Sequence, residues 1–260
     1  MRIITVINQK GGTGKTTVTM NLGVALALMG KKILLIDFDP QANLTYSFGI
    51  RNPKNTIVEV LQGKQTIQTI LVKKEGLDIA PSSSLLADLE VSIINKIGRE
   101  QLLQDRLKGL KEYDYVFIDS PPSLSILTIN ALTTAGEVLI PLQMEILSLQ
   151  GLTQLLKTID EVKNILNKKL RITGIVVSMY DGRRRLSSEI LNEIKNNLKE
   201  KVFNSVIRIC VKIAESPSFA KSVLSYAPSS EGAIDYKNLA KEFLNERSQN
   251  AGREKYQPLR

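Results

Sequence analysis

A buried strand that leads directly into a glycine-rich turn constrains the fold of this chain more than any other feature. The apolar run Arg2–Ile7 is followed by NQKGGTGKTT, residues 8–17, and then by a segment of helical periodicity that begins near Lys15. Glycines let the backbone approach a bound anion, and the first turn of a helix presents free N–H groups to it. The stretch therefore predicts a phosphate-binding loop between a strand and a helix.

The loop departs from the pattern G-x-x-x-x-G-K-[ST] at two positions. The first glycine would fall at position 9, where this chain has Gln9, and an additional lysine, Lys10, follows it. Within the motif, we expect Lys15 to contact the β- and γ-phosphates, Thr16 to ligate Mg²⁺ and Thr17 to contact the α-phosphate. The predicted nucleotide-binding residues are Lys10, Gly11, Gly12, Thr13, Gly14, Lys15, Thr16 and Thr17.

Aspartates follow two further apolar strands. LLIDFDPQAN contains Asp37 and Asp39, and YVFIDSPPS contains Asp119. A single aspartate at a strand end is often only a helix cap. The carboxyl ends of parallel strands meet at one edge of a sheet, however, so three such aspartates near a phosphate loop predict a Mg²⁺ shell and a group that faces an attacking water.

Apolar strands alternate with helical segments along the chain. The predicted strands are Arg2–Ile7, Lys32–Ile36, Leu77–Ala80, Tyr115–Ile118, Glu137–Leu142, Arg171–Met179 and Val206–Val211. A helix after Ser148 carries one apolar stripe, formed by Leu152, Leu155, Leu156, Ile159, Val162 and Leu166. The pattern predicts an α/β fold with a doubly wound, mostly parallel sheet and helices on both faces. We expect a single domain over residues 1–246 and a basic, flexible tail over residues 247–260.

Composition excludes several classes of chemistry. The chain has no histidine, which excludes a histidine triad, a histidine base and histidine metal ligands. Its only cysteine, Cys210, excludes an intramolecular disulfide and a multi-cysteine metal or cluster site. No apolar run approaches the roughly 20 residues that span a bilayer. We therefore expect a cytoplasmic protein without a membrane segment.

The charge balance points to a polyanionic partner. The chain carries a formal net charge of +9. Such a balance is typical of proteins that bind nucleic acid or an acidic membrane, although scattered lysines that aid solubility give the same number.

Four motifs resemble one known family. They are KGGTGKTT at 10–17, LLIDFDPQANLT at 34–45, DYVFIDSPPSL at 114–124 and TINALTTAGEVLIPLQMEILSLQGLTQLL at 128–156. They are similar to the ParA/Soj members of the ParA/MinD family of deviant Walker ATPases. The resemblance continues through VVSMYDGRRRL and VKIAESPSFAKSVLSYAPSSEGAIDYKNLAKEFL, and so covers nearly the whole chain. It implies the fold of a P-loop NTPase with a deviant Walker A loop, and Mg²⁺-dependent ATP hydrolysis.

The resemblance also implies roles for individual residues. In this family two subunits close face to face over two ATP molecules, so Lys10 would act on the partner's nucleotide and Lys15 on its own. Asp39 resembles the residue that positions the hydrolytic water. The implied catalytic residues are thus Lys10, Lys15 and Asp39.

Further residues follow from the same comparison of motifs. Asp37 and Asp119 resemble the aspartates of the Mg²⁺ shell, which with Thr16 form the implied metal site. Gly11 resembles the glycine at which a bulky substitution blocks closure of the dimer.

Basic residues late in the chain resemble the DNA contacts of Soj-like proteins. Arg183 and Lys212 match those positions, and Arg184 and Arg185 add charge beside them, although a basic helix start is ordinarily a solvated face.

Two departures from relatives concern these functions. Many relatives have Pro-Arg-Asn where this chain has residues 207–209, IRI, which affects the expected contacts to adenine. The stretch YAPSSE at 226–231 lacks an arginine that relatives often carry, so Lys221 and the basic tail are further candidates for DNA contact.

The resemblance implies an ATPase that partitions DNA. An ATP-bound homodimer would bind double-stranded DNA without sequence preference on the nucleoid, and a ParB-like partner would stimulate hydrolysis and release it, which segregates a plasmid or chromosome. One alternative is a ParA-like ATPase that positions a protein cargo such as a chemoreceptor array, flagellum or microcompartment. Another is a soluble P-loop ligase or kinase, although such enzymes do not need Lys10.

Related branches of the superfamily fit the sequence less well. The nitrogenase iron-protein branch bridges a cluster with cysteines from both subunits, which needs more than the single Cys210 of this chain. The tail QNAGREKYQPLR has no apolar face for a membrane helix. The loop begins at Lys10, so we expect no amino-terminal helix-turn-helix domain.

Overall fold

One twisted sheet organises the molecule. The computed structural model describes residues 1–184, 189–191, 193–194 and 198–254, apart from the side chains of residues 146–147, 149–150 and 246–254. Within these residues, seven strands pair in the order β3-β4-β2-β5-β1-β6-β7. The strands are β1 (Arg2–Val6), β2 (Ile33–Asp37), β3 (Val72–Lys74), β4 (Leu77–Ala80), β5 (Tyr115–Asp119), β6 (Glu137–Gln143) and β7 (Arg171–Ser178). Only the pair β3–β4 is antiparallel, which confirms the mostly parallel sheet.

Helices cover both faces of this sheet. They are α1 (Lys15–Leu28), α2 (Asn43–Ser47), α3 (Ile57–Leu61), α4 (Leu85–Ser92), α5 (Leu102–Arg106), α6 (Ile126–Thr134), α7 (Ile146–Ile165), α8 (Val211–Glu215), α9 (Val223–Tyr226) and α10 (Glu231–Glu254). Short 3₁₀ turns lie at Ile67–Ile70, Arg99–Gln101 and Ser216–Phe219. No helix in the described ranges is long and apolar enough to cross a bilayer.

Alternating side chains of the central strands supply two hydrophobic layers. Leu35 and Phe117 pack into the layer under α1 and α10, whereas Leu34 and Val116 face the layer formed by α3 to α6. Because both faces are covered, every residue of β2 and β5 is buried, as is typical of parallel strands. The predicted stripe of α7 is confirmed, since Leu152, Leu155, Ile159 and Val162 are buried and Leu156 and Leu166 are partly buried.

The predicted strand Val206–Val211 is wrong. Residues 206–210 form an irregular extended segment beside the end of β7, and Val211 begins α8. The segment still bonds to the sheet edge, because the Ile207 N–H donates to the Val177 carbonyl at 2.8 Å. Met179, just after β7, has a φ of +51°, however, and this left-handed residue interrupts regular pairing between the two segments. Conversely, the short strand β3 was not predicted.

The last helix crosses the predicted domain boundary. The backbone of residues 247–254 continues α10, and residues 255–260 lie outside the described part of the chain. The division at residue 246 and the flexibility of the tail therefore stay predictions.

Candidate nucleotide site

The loop between β1 and α1 has the geometry of an anion-binding turn. Gly12 and Gly14 have φ values of +76° and +87°, in the left-handed region that glycine tolerates. The Gly14 carbonyl accepts from Val18 N at 2.8 Å and so opens α1, as predicted. Neighbouring strand ends hold the loop, because Ser178 Oγ donates to the Thr13 carbonyl at 2.7 Å. The first N–H groups of α1 consequently face the edge where the parallel strands end.

Lys15 lies buried beside this loop. It is 7% exposed, and its Nζ donates to the Lys10 carbonyl at 3.2 Å. Burial lowers the pKa of Lys15, and the charges of Asp119 and Asp39 only partly counter this. A buried ammonium group with a neutral carbonyl partner and strand-end carboxylates nearby is suited to bind an anion such as a phosphate.

Asp119 connects the sheet to the first turn of α1. Its Oδ2 accepts a hydrogen bond from Thr16 Oγ1 at 2.7 Å, and its Oδ1 accepts one from Thr19 Oγ1 at 3.3 Å. Burial raises the pKa of Asp119 well above its usual range, and the charge of Asp37, its neighbour in the strand register, raises it further. Two adjacent buried carboxyl groups and a hydroxyl concentrate negative potential that a divalent cation would neutralise.

Asp37 organises the connection that carries Asp39. Its Oδ2 accepts from Thr45 N at 2.8 Å and from Thr45 Oγ1 at 2.6 Å, and its Oδ1 accepts from Asp39 N at 3.3 Å. Burial raises the pKa of Asp37 to about 6 despite these hydrogen bonds. Asp39 is 5% exposed, and its Oδ1 accepts from Gln41 N at 2.9 Å. The turn thus fixes the Asp39 carboxyl group near the end of β2.

These residues fit a phosphate-bound Mg²⁺ better than a metal held by protein alone. In the described part of the chain, no group of three or more histidine, cysteine, aspartate or glutamate side chains forms a metal cage. Mg²⁺ commonly takes one or two carboxylates and a hydroxyl, and obtains its other oxygens from phosphates and water. Thr16 and Asp119 supply such a partial set, because their hydrogen bond places the hydroxyl and the carboxylate side by side.

The additional lysine behaves differently from Lys15. The Lys10 Nζ forms an ion pair with Glu145 Oε2 at 2.5 Å, and the two side chains are 36% and 53% exposed. Glu145 lies just before α7, within the motif at 128–156, but nothing in that motif indicated a contact with Lys10. A Cβ placed on Gly11 would meet nothing within 4 Å. Within one subunit, therefore, the Lys10 side chain and the space around Gly11 lie outside the buried site.

A cavity of about 400 Å³ lies beside the loop, and none of the three aspartates lines it. Its lining includes Gly14, Thr17, Ser178, Met179, residues 207–210, Ile213, Ala214, Pro217 and Tyr236. Arg208 is held by Asp235 at 2.7 Å and Glu231 at 3.0 Å, so its charge is already paired. Sequence reasoning missed Met179, Ile213 and Pro217, because only the fold brings residues 207–217 beside the loop.

The candidate DNA contacts are exposed and paired within the chain. Arg183 donates twice to Asp181, at 2.9 and 3.1 Å, with its side chain 88% exposed, and Arg184 pairs with the same carboxylate at 3.5 Å. Lys212 Nζ pairs with Glu215 Oε2 at 2.9 Å. Arg185 lies outside the described residues. These cations are not brought into the buried nucleotide site.

Comparisons with known proteins agree with this geometry. A family described as an AAA domain matches residues 1–172. The chain is 41% identical over 252 residues to chromosome partitioning protein ParA of Caulobacter vibrioides, with 94% of each chain covered. It is 42% identical to sporulation initiation inhibitor protein Soj of Bacillus subtilis, over 93% of this chain and 97% of that protein. The crystal structure of cobyrinic acid a,c-diamide synthase from Mycobacterium smegmatis with bound ATP analogue and magnesium matches with a TM-score of 0.83, 35% identity and 93% coverage of each chain.

Proposed function

Because the chain belongs to the ParA/Soj family of P-loop ATPases, we propose that it is a Mg²⁺-dependent ATPase that partitions replicated DNA. ATP and Mg²⁺ are its cofactors, in keeping with the ATP analogue and magnesium bound to the related synthase. The observation that carries the proposal is the partly buried hydrogen bond of Thr16 to Asp119 beside the buried Lys15, at a loop of the phosphate-binding type.

The residues of one subunit divide the chemistry among them. Lys15 and the amides of Gly12, Gly14 and Thr16 bind the phosphates, and Thr16 and Asp119 hold Mg²⁺, with Asp37 beside them. When bound, Mg²⁺ neutralises charge that develops on the transferring phosphoryl group. Asp39 orients the attacking water, since its carboxyl group is fixed at the strand end and is slightly exposed.

Lys10 completes the site of a second copy of the chain. In an ATP-bound dimer it leaves Glu145 and contacts the partner's γ-phosphate, which ADP lacks. The open space around Gly11 supports this arrangement, because a bulky residue there would meet nothing in its own subunit and would obstruct only the partner.

The dimer binds double-stranded DNA through the basic residues Arg183, Arg184, Arg185 and Lys212, and associates with the nucleoid. A ParB-like protein stimulates hydrolysis and so releases it. Partitioning is favoured over the positioning of a protein cargo, because the chain matches a chromosome partitioning protein of Caulobacter over nearly the whole length of both proteins. It is favoured over a ligase because Lys10 lies outside its own buried site.

DNA binding in the presence of ATP, ADP or no nucleotide tests this proposal. The Asp39→Ala variant is used with Mg²⁺ so that ATP persists, and a labelled duplex of arbitrary sequence is followed by fluorescence anisotropy. We expect binding with ATP only, and binding that weakens as salt rises. Equal binding with ADP would contradict the proposed switch.

A further inference from the structure

We propose that a basic cleft beside α2 is a second contact surface for the phosphate backbone of duplex DNA; the inference rests on the proposed DNA-binding function. The cleft has a volume of about 430 Å³ and is hereafter the α2 cleft. Its lining includes three cations, Arg51, Lys54 and Lys74, and no acidic residue. The cleft therefore concentrates positive potential.

The cations of the α2 cleft are not neutralised within the chain. Neither Lys54 nor Lys74 forms an ion pair with any residue of the described ranges. This distinguishes them from Arg183 and Lys212, which are both paired with carboxylates. An unpaired surface lysine can neutralise a phosphate without first leaving a carboxylate partner, and the released counterion favours binding.

Arg51 is positioned rather than free. Its guanidinium lies 3.7 Å from the ring centre of Tyr46, and its Nη1 donates to the Tyr46 carbonyl at 2.7 Å. Tyr46 is 57% exposed. An arginine stacked on an exposed aromatic ring keeps its planar donors ordered, and its remaining N–H groups match the oxygens of a phosphate.

Two carboxylates close to the cleft residues in the sequence are engaged elsewhere. Glu75, which follows Lys74, accepts hydrogen bonds from Ser222 N at 2.7 Å, Ser222 Oγ at 2.5 Å and Ser225 Oγ at 2.7 Å. Glu59 of α3 accepts from Thr56 at the start of its own helix. Both groups are therefore directed at their own hydrogen-bond partners, and neither lines the cleft.

The segment that leads from α2 into the α2 cleft packs against the region that carries Lys212. A Cβ placed on Gly49 would lie 2.5 Å from the Cβ of Ala220, so the end of α2 lies against the turn after Phe219. Phe219 stacks on Tyr226 at 4.8 Å, and the Lys212 Nζ lies 5.7 Å from the Tyr226 ring centre.

The surface between Lys212 and Arg51 thus carries both cations and aromatic rings. Phe219 is 59% exposed, and the exposed Lys221 lies between Ala220 and the serine that binds Glu75. Such a surface favours an extended polyanion over a compact anion, because a duplex presents phosphates along the whole strip.

A charge-reversal experiment with a matched control tests the inference. Lys54→Glu/Lys74→Glu is compared with Lys168→Glu/Lys169→Glu, which makes the same charge change at exposed lysines between α7 and β7, before the opposite ends of the parallel strands. Binding of a labelled duplex is measured with ATP over a range of salt concentrations. We expect the cleft variant to bind at least about tenfold more weakly. Its log–log salt slope should fall by about 2 for each subunit whose cleft contacts the duplex, because each phosphate that is no longer neutralised lowers the slope by roughly 0.9. The control should change affinity less than about threefold.

Further measurements separate the possible outcomes. ATP-dependent dimerisation and basal hydrolysis of the cleft variant should match wild type. Lys54→Gln/Lys74→Gln, which removes the two charges without reversing them, is the second variant if charge reversal disturbs folding. It should lose duplex affinity in the same direction, but less. A cleft variant that binds duplex like the control would overturn this inference and leave the proposed function intact. Failure of wild type to bind duplex with ATP would overturn both. Retained duplex binding with lost binding of poly-L-glutamate would assign the cleft to an acidic polypeptide instead.

Discussion

The groups that would bind nucleotide within one subunit and those that would act on other molecules are built differently. Lys15 and Asp119 are buried, and Thr16 joins α1 to the sheet through a partly buried hydrogen bond to Asp119. Lys10, by contrast, is exposed and paired with a carboxylate of its own chain, and the same is true of Arg183 and Lys212. Folding alone completes the first set, whereas the second set must exchange partners. Exposed ion pairs contribute about 0–1 kcal/mol, so that exchange is inexpensive.

The largest expected effect lies in the buried set. Asp39→Ala should reduce ATP turnover about 1,000-fold, because a water-positioning carboxylate acts mainly in the transition state. ATP affinity should stay close to wild type. Phosphate-release kinetics and calorimetric titration measure the two quantities. Wild-type turnover by this variant would remove Asp39 from the mechanism.

Loss of Lys15 should instead affect binding. Lys15→Ala should weaken ATP affinity about 100-fold, since the buried ammonium that we propose to contact the phosphates is lost. Lys10→Ala is the matched control. Its affinity for ADP, which lacks the γ-phosphate and so reports on the site of one subunit, should be unchanged, whereas Lys15→Ala should lose ADP affinity as well. If both variants lose ADP affinity equally, the contrast between the two lysines is wrong.

The sequence predicts the buried set well because its determinants are local. The loop, the start of α1 and the strand-end aspartates follow from short motifs together with parallel strands that share one edge, and the structure confirms their positions. Glu145, in contrast, is 135 residues from Lys10, and no local pattern pairs them. The prediction of a strand at 206–210 fails because the apolar run does not reveal the left-handed conformation of Met179, which interrupts pairing beside it.

The ion pairs of Glu137 are a buried counterpart to the exposed pair of Lys10 and Glu145. Glu137 is buried and binds Arg2 at 2.5 Å and Arg171 at 3.3 Å. Burial raises the pKa of Glu137, but hydrogen bonds from Arg2 and Thr173 and the charges of both arginines outweigh it, so the net pKa is lowered. Its stabilisation is therefore fully present above the ordinary glutamate pKa of about 4.3 and is lost as pH falls through the lower folded-state value.

Substitution of this glutamate should accordingly cost stability in a pH-dependent way. Glu137→Gln should lower the free energy of unfolding by about 2 kcal/mol at pH 7, because two arginines lose their charged partner. Urea titrations at pH 7 and at pH 4 measure the difference, which should shrink at the lower pH. A constant difference would show that packing, not charge, is responsible.

The smallest expected effect concerns the exchangeable pair. Glu145→Gln should free Lys10 and strengthen ATP-dependent dimerisation about threefold, in line with the small energy of an exposed ion pair. Light scattering in the Asp39→Ala background measures the dimerisation constant. The gain should disappear when Lys10→Ala is added, and should not occur with Glu161→Gln, an exposed glutamate of α7. A gain that persists without Lys10 would mean that Glu145 acts through another contact.

Mixing two inactive variants tests most directly whether Lys10 serves the site of a partner subunit. Lys10→Ala retains its own Asp39, and Asp39→Ala retains the lysine that it offers to a partner. In a mixed dimer, one site therefore has both groups. An equimolar mixture should recover about a quarter of wild-type ATP turnover, because half of randomly paired dimers are mixed and each contains one complete site. Turnover no greater than the mean of the two separate variants would contradict action across the dimer.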